Sequence, residues 1–167
     1  MNAPSFDADT IRLATFGVGT DLFAVDLMRI REITRPLPVT PVPRAPHGMT
    51  GVLDLRGAVI PVFDMRTRFG LPSRAPECEG QARQVILRLD GRCYALVVDH
   101  VDDVLTVARG QLRAGPGVLI GPAAEVFHGV CPVGERLALL LNLRRVIQQH
   151  DQLFLDELLP PSHGSGT

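Results

Sequence analysis

The sequence predicts a mainly β protein organised as two similar small barrels. Three observations lead there. Apolar residues recur with a period of two, tight-turn residues separate the apolar runs, and the second half of the chain repeats the order of the first. Many short strands joined by tight turns are the pattern of small barrels.

The elements follow in order. Phe23, Val25 and Leu27 alternate with Leu22, Ala24 and Asp26, after a turn at Gly19-Thr20-Asp21. The next segment, RPLPVTPVPRAPHG, holds Pro36, Pro38, Pro41, Pro43 and Pro46. Proline lacks an amide N–H and clashes with a preceding helical turn, so this stretch is neither helix nor central strand. Leu37, Val39 and Val42 between the prolines predict an extended crossing that packs on its own protein. Asp64 predicts the cap of a short helix over Met65 to Phe69, ended by Gly70 in a left-handed conformation. Val85, Leu87 and Leu89 alternate with Ile86, Arg88 and Asp90, and Asp90-Gly91 predicts a hairpin because both residues tolerate positive φ. AGPGVLIGP, a cluster of proline and glycine, reads as a loop, and its glycine spacing is one residue too long for a dinucleotide fingerprint. Leu137, Leu139 and Leu141 alternate with Ala138, Leu140 and Asn142. Leu143, Val146, Ile147, Leu153 and Phe154 then have helical spacing, and Pro160-Pro161 ends it. The tail from Ser162 to Thr167 is expected to be loose.

The repeat is visible residue by residue. A shift of 71 positions carries Phe16 onto Leu87, Phe23 onto Tyr94, Ala24 onto Ala95, Val25 onto Leu96, Ile30 onto Val101, Glu32 onto Asp103 and Ile33 onto Val104. A shift of 78 carries Gly51-Val52 onto Gly129-Val130, Val62 onto Leu140, Asp64 onto Asn142, Met65 onto Leu143 and Arg66 onto Arg144. The seven extra residues of the second half are expected in the Gly/Pro loop at 115–122. The reading is one domain over residues 10–150, with approximate halves 10–75 and 84–147 as barrel subdomains, and a helix end and flexible tail over 151–167. The cleft between two such units is a natural place for a ligand or a partner.

Composition excludes whole classes of chemistry. The chain has 167 residues, 46% hydrophobic and 21% charged, as expected of one globular domain. The net charge of −1 lacks the basic excess of a general nucleic-acid binder. All 17 basic residues are arginine, so a Walker-type phosphate loop and Schiff-base chemistry both lack their lysine. Ser5, Ser162 and Ser165 lie in the termini and Ser73 in a Pro-flanked loop, which leaves no place for a buried serine nucleophile. Tryptophan is absent and Tyr94 is the sole tyrosine, a poor basis for base stacking. Cys78, Cys93 and Cys131 have no CxxC spacing and fit reduced thiols in a cytoplasm. Cys93 and Cys131 read as small apolar strand residues, and Cys78 as the reactive one. The N-terminus is acidic and unlike a signal peptide, and the longest uncharged run, Ala114 to Ala124, has 11 residues. A soluble intracellular protein is expected. In the run DHVDD, His100 and Asp102 share one strand face while Asp99 and Asp103 share the other. A metal needs three or four convergent ligands, so a solvated acidic turn is the expectation there, with no metal and no cofactor.

The segment GMTGVLDLRGAVIPVFDMRTRFGLP closely resembles the signature of CheW-like domains, the coupling proteins of bacterial chemosensory arrays. The resemblance continues upstream in FAVDLMRIREIT and downstream in RQVILRLDGRCYALVVDHVDDVLTV and HGVCPVGERLALLLNLRRVI, so it spans about Ile11 to Ile147. It implies two intertwined five-stranded SH3-like β-barrels with a short inter-strand helix and a C-terminal helix. It also implies a non-enzymatic, cytoplasmic adaptor without catalytic residues. Its partners would be the cytoplasmic tip of chemoreceptors and the regulatory domain of the histidine kinase CheA, with ring or array assembly and no membrane insertion. Two alternatives stay open: a CheW-like scaffold of a gliding or pilus-type pathway, and a ligand-binding barrel.

Arg56, at a turn fixed by Gly57, offers a planar fork of donors suited to a carboxylate across an interface. Glu32 is its expected in-chain partner, and the resemblance supports the pairing. Ile30 and Val101 hold matched repeat positions. The resemblance implies that apolar side chains around Ile30 line the receptor groove, and plain core packing is the alternative for both. Asp54, His100 and Asn142 depart in charge from the family pattern. The expected partner-binding set is therefore Glu32, Arg56, Asp54, Gly57, Ile30 and Val101.

Overall fold

The computed structural model describes residues 9–113 and 126–147, and Leu155. Among the described residues, ten strands form two five-stranded sheets. The strands are β1 (Thr10–Val18), β2 (Asp21–Asp26), β3 (Ile30–Thr34), β4 (Met49–Leu55), β5 (Ala58–Asp64), β6 (Arg83–Leu89), β7 (Arg92–Val98), β8 (His100–Ala108), β9 (Phe127–Val133) and β10 (Arg136–Leu141). Helix α1 (Met65–Arg68) follows β5, and α2 (Leu143–Val146) follows β10. One sheet runs β8-β1-β2-β10-β9 and the other β3-β6-β7-β5-β4.

These two orders are the same order under the sequence repeat. Replacing β1 to β5 by β6 to β10, and the reverse, turns one sheet into the other. The registers agree as well: Phe16 faces Phe23 as Leu87 faces Tyr94, and the parallel pair Leu140–Ala24 matches Val62–Ala95. The β1–β8 bulge recurs between β6 and β3. The halves 10–75 and 84–147 therefore do not each form one barrel. Each contributes two strands to one sheet and three to the other, because the chain crosses between sheets after β2 and again after β7. The seven extra residues are also distributed differently from expectation. Thr40 pairs with Val52 as Arg113 pairs with Val130, a shift of 73 on one side of each bridge, so two of the seven precede Arg113 and five follow it.

Each strand serves two interiors because its side chains alternate. Leu13, Leu22, Ala24, Cys131, Ala138 and Leu140 fill one barrel, and Leu53, Leu55, Ile60, Val62, Ile86 and Ala95 the other. The opposite faces, including Phe16, Phe23, Val25, Phe63, Leu87 and Leu96, meet between the sheets with Met65, Leu143 and Leu155. Phe23 stacks with Phe69 and Phe127 at ring-centroid distances of 5.1 and 6.0 Å, joining β2 to the end of α1 and to β9. Arg68 donates to the Val146 carbonyl, which under the repeat is its own counterpart, so the two short helices meet where the halves are related.

Local expectations hold where the chemistry is local. Asp64 Oδ1 accepts from the Arg66 N–H at 2.9 Å, and the helix ends at Arg68, one residue earlier than expected. Asp90 and Gly91 both have positive φ in a two-residue hairpin. The proline segment is an extended crossing. Its Leu37 N–H donates to Gln84 Oε1 at 2.9 Å and its Leu37 carbonyl accepts from Gln84 Nε2 at 3.2 Å. Gln84 is buried where the repeat has Leu13, and this pair of bonds satisfies it. The PECEGQ segment that carries Cys78 is a 3-10 helix over Pro76–Gln81. The Gly/Pro loop at 115–122 and the helical positions Leu153 and Phe154 lie outside the described residues, as does 151–167 apart from Leu155.

The crossing also explains Gly51. A Cβ there would stand 2.1 Å from the Thr40 carbonyl oxygen, within the backbone pairing of Thr40 with Val52. Gly51→Ala is expected to destabilise the protein by about 1–3 kcal/mol in urea unfolding, because backbone must shift to admit the methyl group. Cys78 is exposed, Cys93 half-buried and Cys131 buried, with burial raising the Cys131 thiol pKa. A maleimide reagent on the native protein is therefore expected to modify Cys78 first and Cys131 only on unfolding, read by mass spectrometry of peptides.

Candidate partner-binding surface

The site begins with a strand order. β3 and β4 are the two outer strands of their sheet, at opposite edges. Glu32 lies on β3, and Arg56 sits in the two-residue turn between β4 and β5. The Arg56 Nη2 donates to Glu32 Oε2, so this ion pair joins the two edges of one sheet and closes the mouth of its barrel. The side chains are 68% and 26% exposed, which places the pair at the surface.

The backbone is arranged for it. Arg56 has φ 50° and Gly57 φ 88°, the signature of a primed hairpin turn. Asp54 Oδ1 accepts from the Gly57 N–H at 2.7 Å and fixes that turn. Under the repeat Arg56 corresponds to Gly134, which has φ 59°. The left-handed region costs a non-glycine residue roughly 1–2 kcal/mol. A glycine occupies the equivalent turn in the other sheet, whereas this turn carries an arginine in the same unfavourable conformation. Glu32 corresponds to Asp103, so the second mouth has the carboxylate and lacks the guanidinium. The clasp is what distinguishes one barrel mouth from the other.

The structure thus brings together Glu32, Arg56, Asp54 and Gly57. It does not bring Ile30 to the same face. The bulge at Arg31 sets Ile30 opposite Leu87 and Glu32 opposite Ile86, which point to opposite sides of β6. Ile30 and Val101 are half-buried counterparts that both pack against the core between the sheets. They lie along the seam between the barrels. His100 packs over Gly17, and its Nε2 lies 3.2 Å from Asp102 Oδ1. Asn142 makes no side-chain capping bond at α2, where Asp64 makes one at α1.

Asp99 corrects an expectation. It is no solvated acidic residue but a buried one, held in the junction between the sheets. Its carboxylate accepts two bonds from Arg66 Nε at 2.9 and 3.1 Å and one from Arg66 Nη2 at 2.8 Å. It also accepts from Arg74 Nε at 2.8 Å and from the Gly19 N–H at 2.7 Å. Burial by itself would raise the carboxyl pKa. The Arg66 hydrogen bonds, the Gly19 N–H and Arg74 outweigh it and hold the pKa at about 2. Sequence reasoning missed this cluster because Arg66 and Arg74 lie 33 and 25 residues away, and Gly19 lies 80.

Among the described residues the buried polar side chains are Thr15, Gln84 and Asp99. Thr15 is bonded to the Asp103 backbone, Gln84 to Leu37 and Asp99 to its arginines, so none of the three stands ready as a nucleophile or a general base. Among the described residues no group of three or more His, Cys, Asp or Glu is placed to hold a metal, and no helix is long and apolar enough to cross a membrane.

Fold and surface together define a two-barrel β protein with an ion-pair clasp at one barrel mouth. The family model for the CheW-like domain matches residues 12–151, and the chain belongs to that family. It is a chemotaxis coupling adaptor and not an enzyme. The chain is 33% identical over 142 residues to the chemotaxis protein CheW of Rhizobium meliloti (strain 1021), covering 84% of this chain and 89% of the relative. It is 28% identical over 145 residues to that of Treponema pallidum (strain Nichols), covering 86% and 85%. The crystal structure of the scaffolding protein TtCheW from Thermoanaerobacter tengcongensis superposes with a TM-score of 0.77 at 21% identity, covering 90% of this chain and 96% of that one.

Proposed function

We propose that this chain links the cytoplasmic tips of chemoreceptors to the regulatory domain of a CheA-type histidine kinase, in the cytoplasm, through two kinds of surface. The observation that carries the reading is the Arg56–Glu32 clasp, present at one barrel mouth and missing its arginine at the other. A left-handed arginine in an exposed ion pair adds little to folding, so its worth lies in what it shows to a partner. The receptor would engage the clasp with Asp54 and Gly57, and Ile30 and Val101 would supply apolar contact along the seam.

The second kind of surface is paired. Val59 and Leu137 are counterparts under the repeat, and both are exposed, at 51% and 53%. Each stands on the last strand of its half, beside Asp54 in one sheet and Pro132 in the other. Two equivalent apolar spots at opposite barrels suit two separate contacts with other proteins, which supports kinase binding beside receptor binding and growth into rings.

The test is capture of receptor signalling tips and CheA regulatory domain from the same genome by the immobilised protein. Both are expected to bind. Val59→Asp and Leu137→Asp are expected to weaken kinase capture alone. Failure to retain either partner would overturn the reading.

A further inference from the structure

The two barrel mouths related by the repeat carry opposite charge. At the first, Arg31 reaches across β6 and donates to Cys93 Sγ at 3.5 Å. Arg88 stands opposite Cys93 in the register, and Cys93 packs against the apolar interior of that barrel. Both guanidinium groups therefore lie at the mouth that the Arg56–Glu32 clasp closes. Arg31 and Arg88 are exposed, and among the described residues neither has a carboxylate partner.

At the second mouth none of these three arginines has an arginine counterpart. Asp102 stands at the position of Arg31, Gly17 at that of Arg88 and Gly134 at that of Arg56, while Asp103 keeps the carboxylate of Glu32. Asp102 and Asp103 are exposed. His100 lies beside Asp102, and among the described residues the Asp103 carboxylate has no cationic partner. Flanking charges leave both signs in place. Arg92 and Asp54 stand beside the first mouth, and Asp21, Glu135 and Arg136 beside the second. The Asp90–Arg144 pair near the first mouth is neutral. Matched apolar side chains stand next to the charges. Ile33 and Val104 follow Glu32 and Asp103 on the edge strands β3 and β8, and are 41% and 49% exposed.

We propose that the basic mouth of one copy docks on the acidic mouth of a second copy, with Arg31 and Arg88 facing Asp102 and Asp103. A two-fold pair through either mouth would bring charges of one sign together, so the charges select the unlike contact. Such a contact leaves one mouth of each kind free at the ends, and further copies can add. Ile33 and Val104 supply apolar area, while the charges set partner and register. The contact covers Arg56 and Glu32. On the receptor reading above, on which this consequence rests, a receptor tip and a second copy therefore exclude each other.

The test is sedimentation velocity of the full chain. At about 0.1 M salt, where the screening length is about 10 Å, a concentration-dependent mixture of single and associated copies is expected. At about 1 M salt, where it is about 3 Å, single copies are expected. Arg31→Gln with Arg88→Gln, and Asp102→Asn with Asp103→Asn, should each weaken self-association about tenfold or more. Mixing the two variants should restore pairing, one copy of each and nothing larger, because each keeps the mouth the other lacks. That restoration also shows both variants to be folded. Adding the isolated receptor tip to the parent chain should separate the copies. Single copies at both salt concentrations, association that survives about 1 M salt, full self-association by either variant, or a mixture that stays single would overturn the proposal. So would a receptor tip bound to copies that remain associated. The salt and mixing experiments contain no receptor, so their outcome is independent of the receptor reading.

Discussion

Asp99→Ala is expected to destabilise the protein by about 3–5 kcal/mol, the usual result of leaving buried charges without their counterion. Arg66 and Arg74 both converge on this carboxylate, and the Gly19 N–H completes its shell. Removing the carboxylate leaves Arg66 without this counterion and Arg74 with only Asp64, at 3.9 Å, at the junction between the sheets, where the β1–β2 turn, α1 and the segment after it meet. Urea unfolding followed by circular dichroism measures the loss. A change under about 1 kcal/mol would mean that water replaces the carboxylate at little cost.

The same residue sets a pH dependence. Its carboxyl is lowered from 3.8 to about 2 in the folded state. A group whose folded pKa is depressed stabilises the fold above its unfolded pKa, and that stability is lost as pH falls through the folded value. Asp99 therefore contributes about 2–3 kcal/mol near neutrality, which disappears between roughly pH 4 and pH 2. Asp99→Asn is expected to be less stable than the parent at pH 6, with the difference shrinking toward zero near pH 2. A difference constant across that range would show that folding leaves the Asp99 carboxyl pKa unshifted.

Arg56→Gly is expected to separate binding from folding. Glycine relieves the φ of 50° that Arg56 holds, and Gly134 already occupies the equivalent turn. An exposed ion pair is worth about 0–1 kcal/mol, so stability should change by no more than about 1 kcal/mol in either direction. Receptor-tip binding, by contrast, should weaken about tenfold or more, as for a charged group at the centre of a contact. Glu32→Ala should produce the same loss. Combining the two should add little, since either change alone opens the clasp. Titration calorimetry with the isolated receptor tip gives the affinities. Retention of full affinity by both single variants would remove the clasp from the binding surface.

Much of the fold was legible because its signals are local. Asp90-Gly91 encodes its hairpin through tolerance of positive φ, Asp64 its cap through one side-chain bond, and the proline crossing its extension through missing donors. The clasp was legible in part. Arg56 and Gly57 announce a turn, and the family resemblance points to Glu32 as the partner. That the pair joins opposite edges of one sheet needed the strand order. The separation of Ile30 from Glu32 was hidden by one bulged residue, Arg31, since alternation alone puts positions 30 and 32 on one face.

By itself, the sequence determined the β class, the turns, the internal repeat and the family, because each depends on neighbours in the chain or on order along it. Only the tertiary structure decided which half supplies which strand and that Asp99 is buried between arginines. Those features depend on long-range contacts such as Asp99 with Gly19 and Arg68 with Val146. The physical reason is that burial and ion pairing are set by what folds against a residue from far along the chain, which no local pattern records.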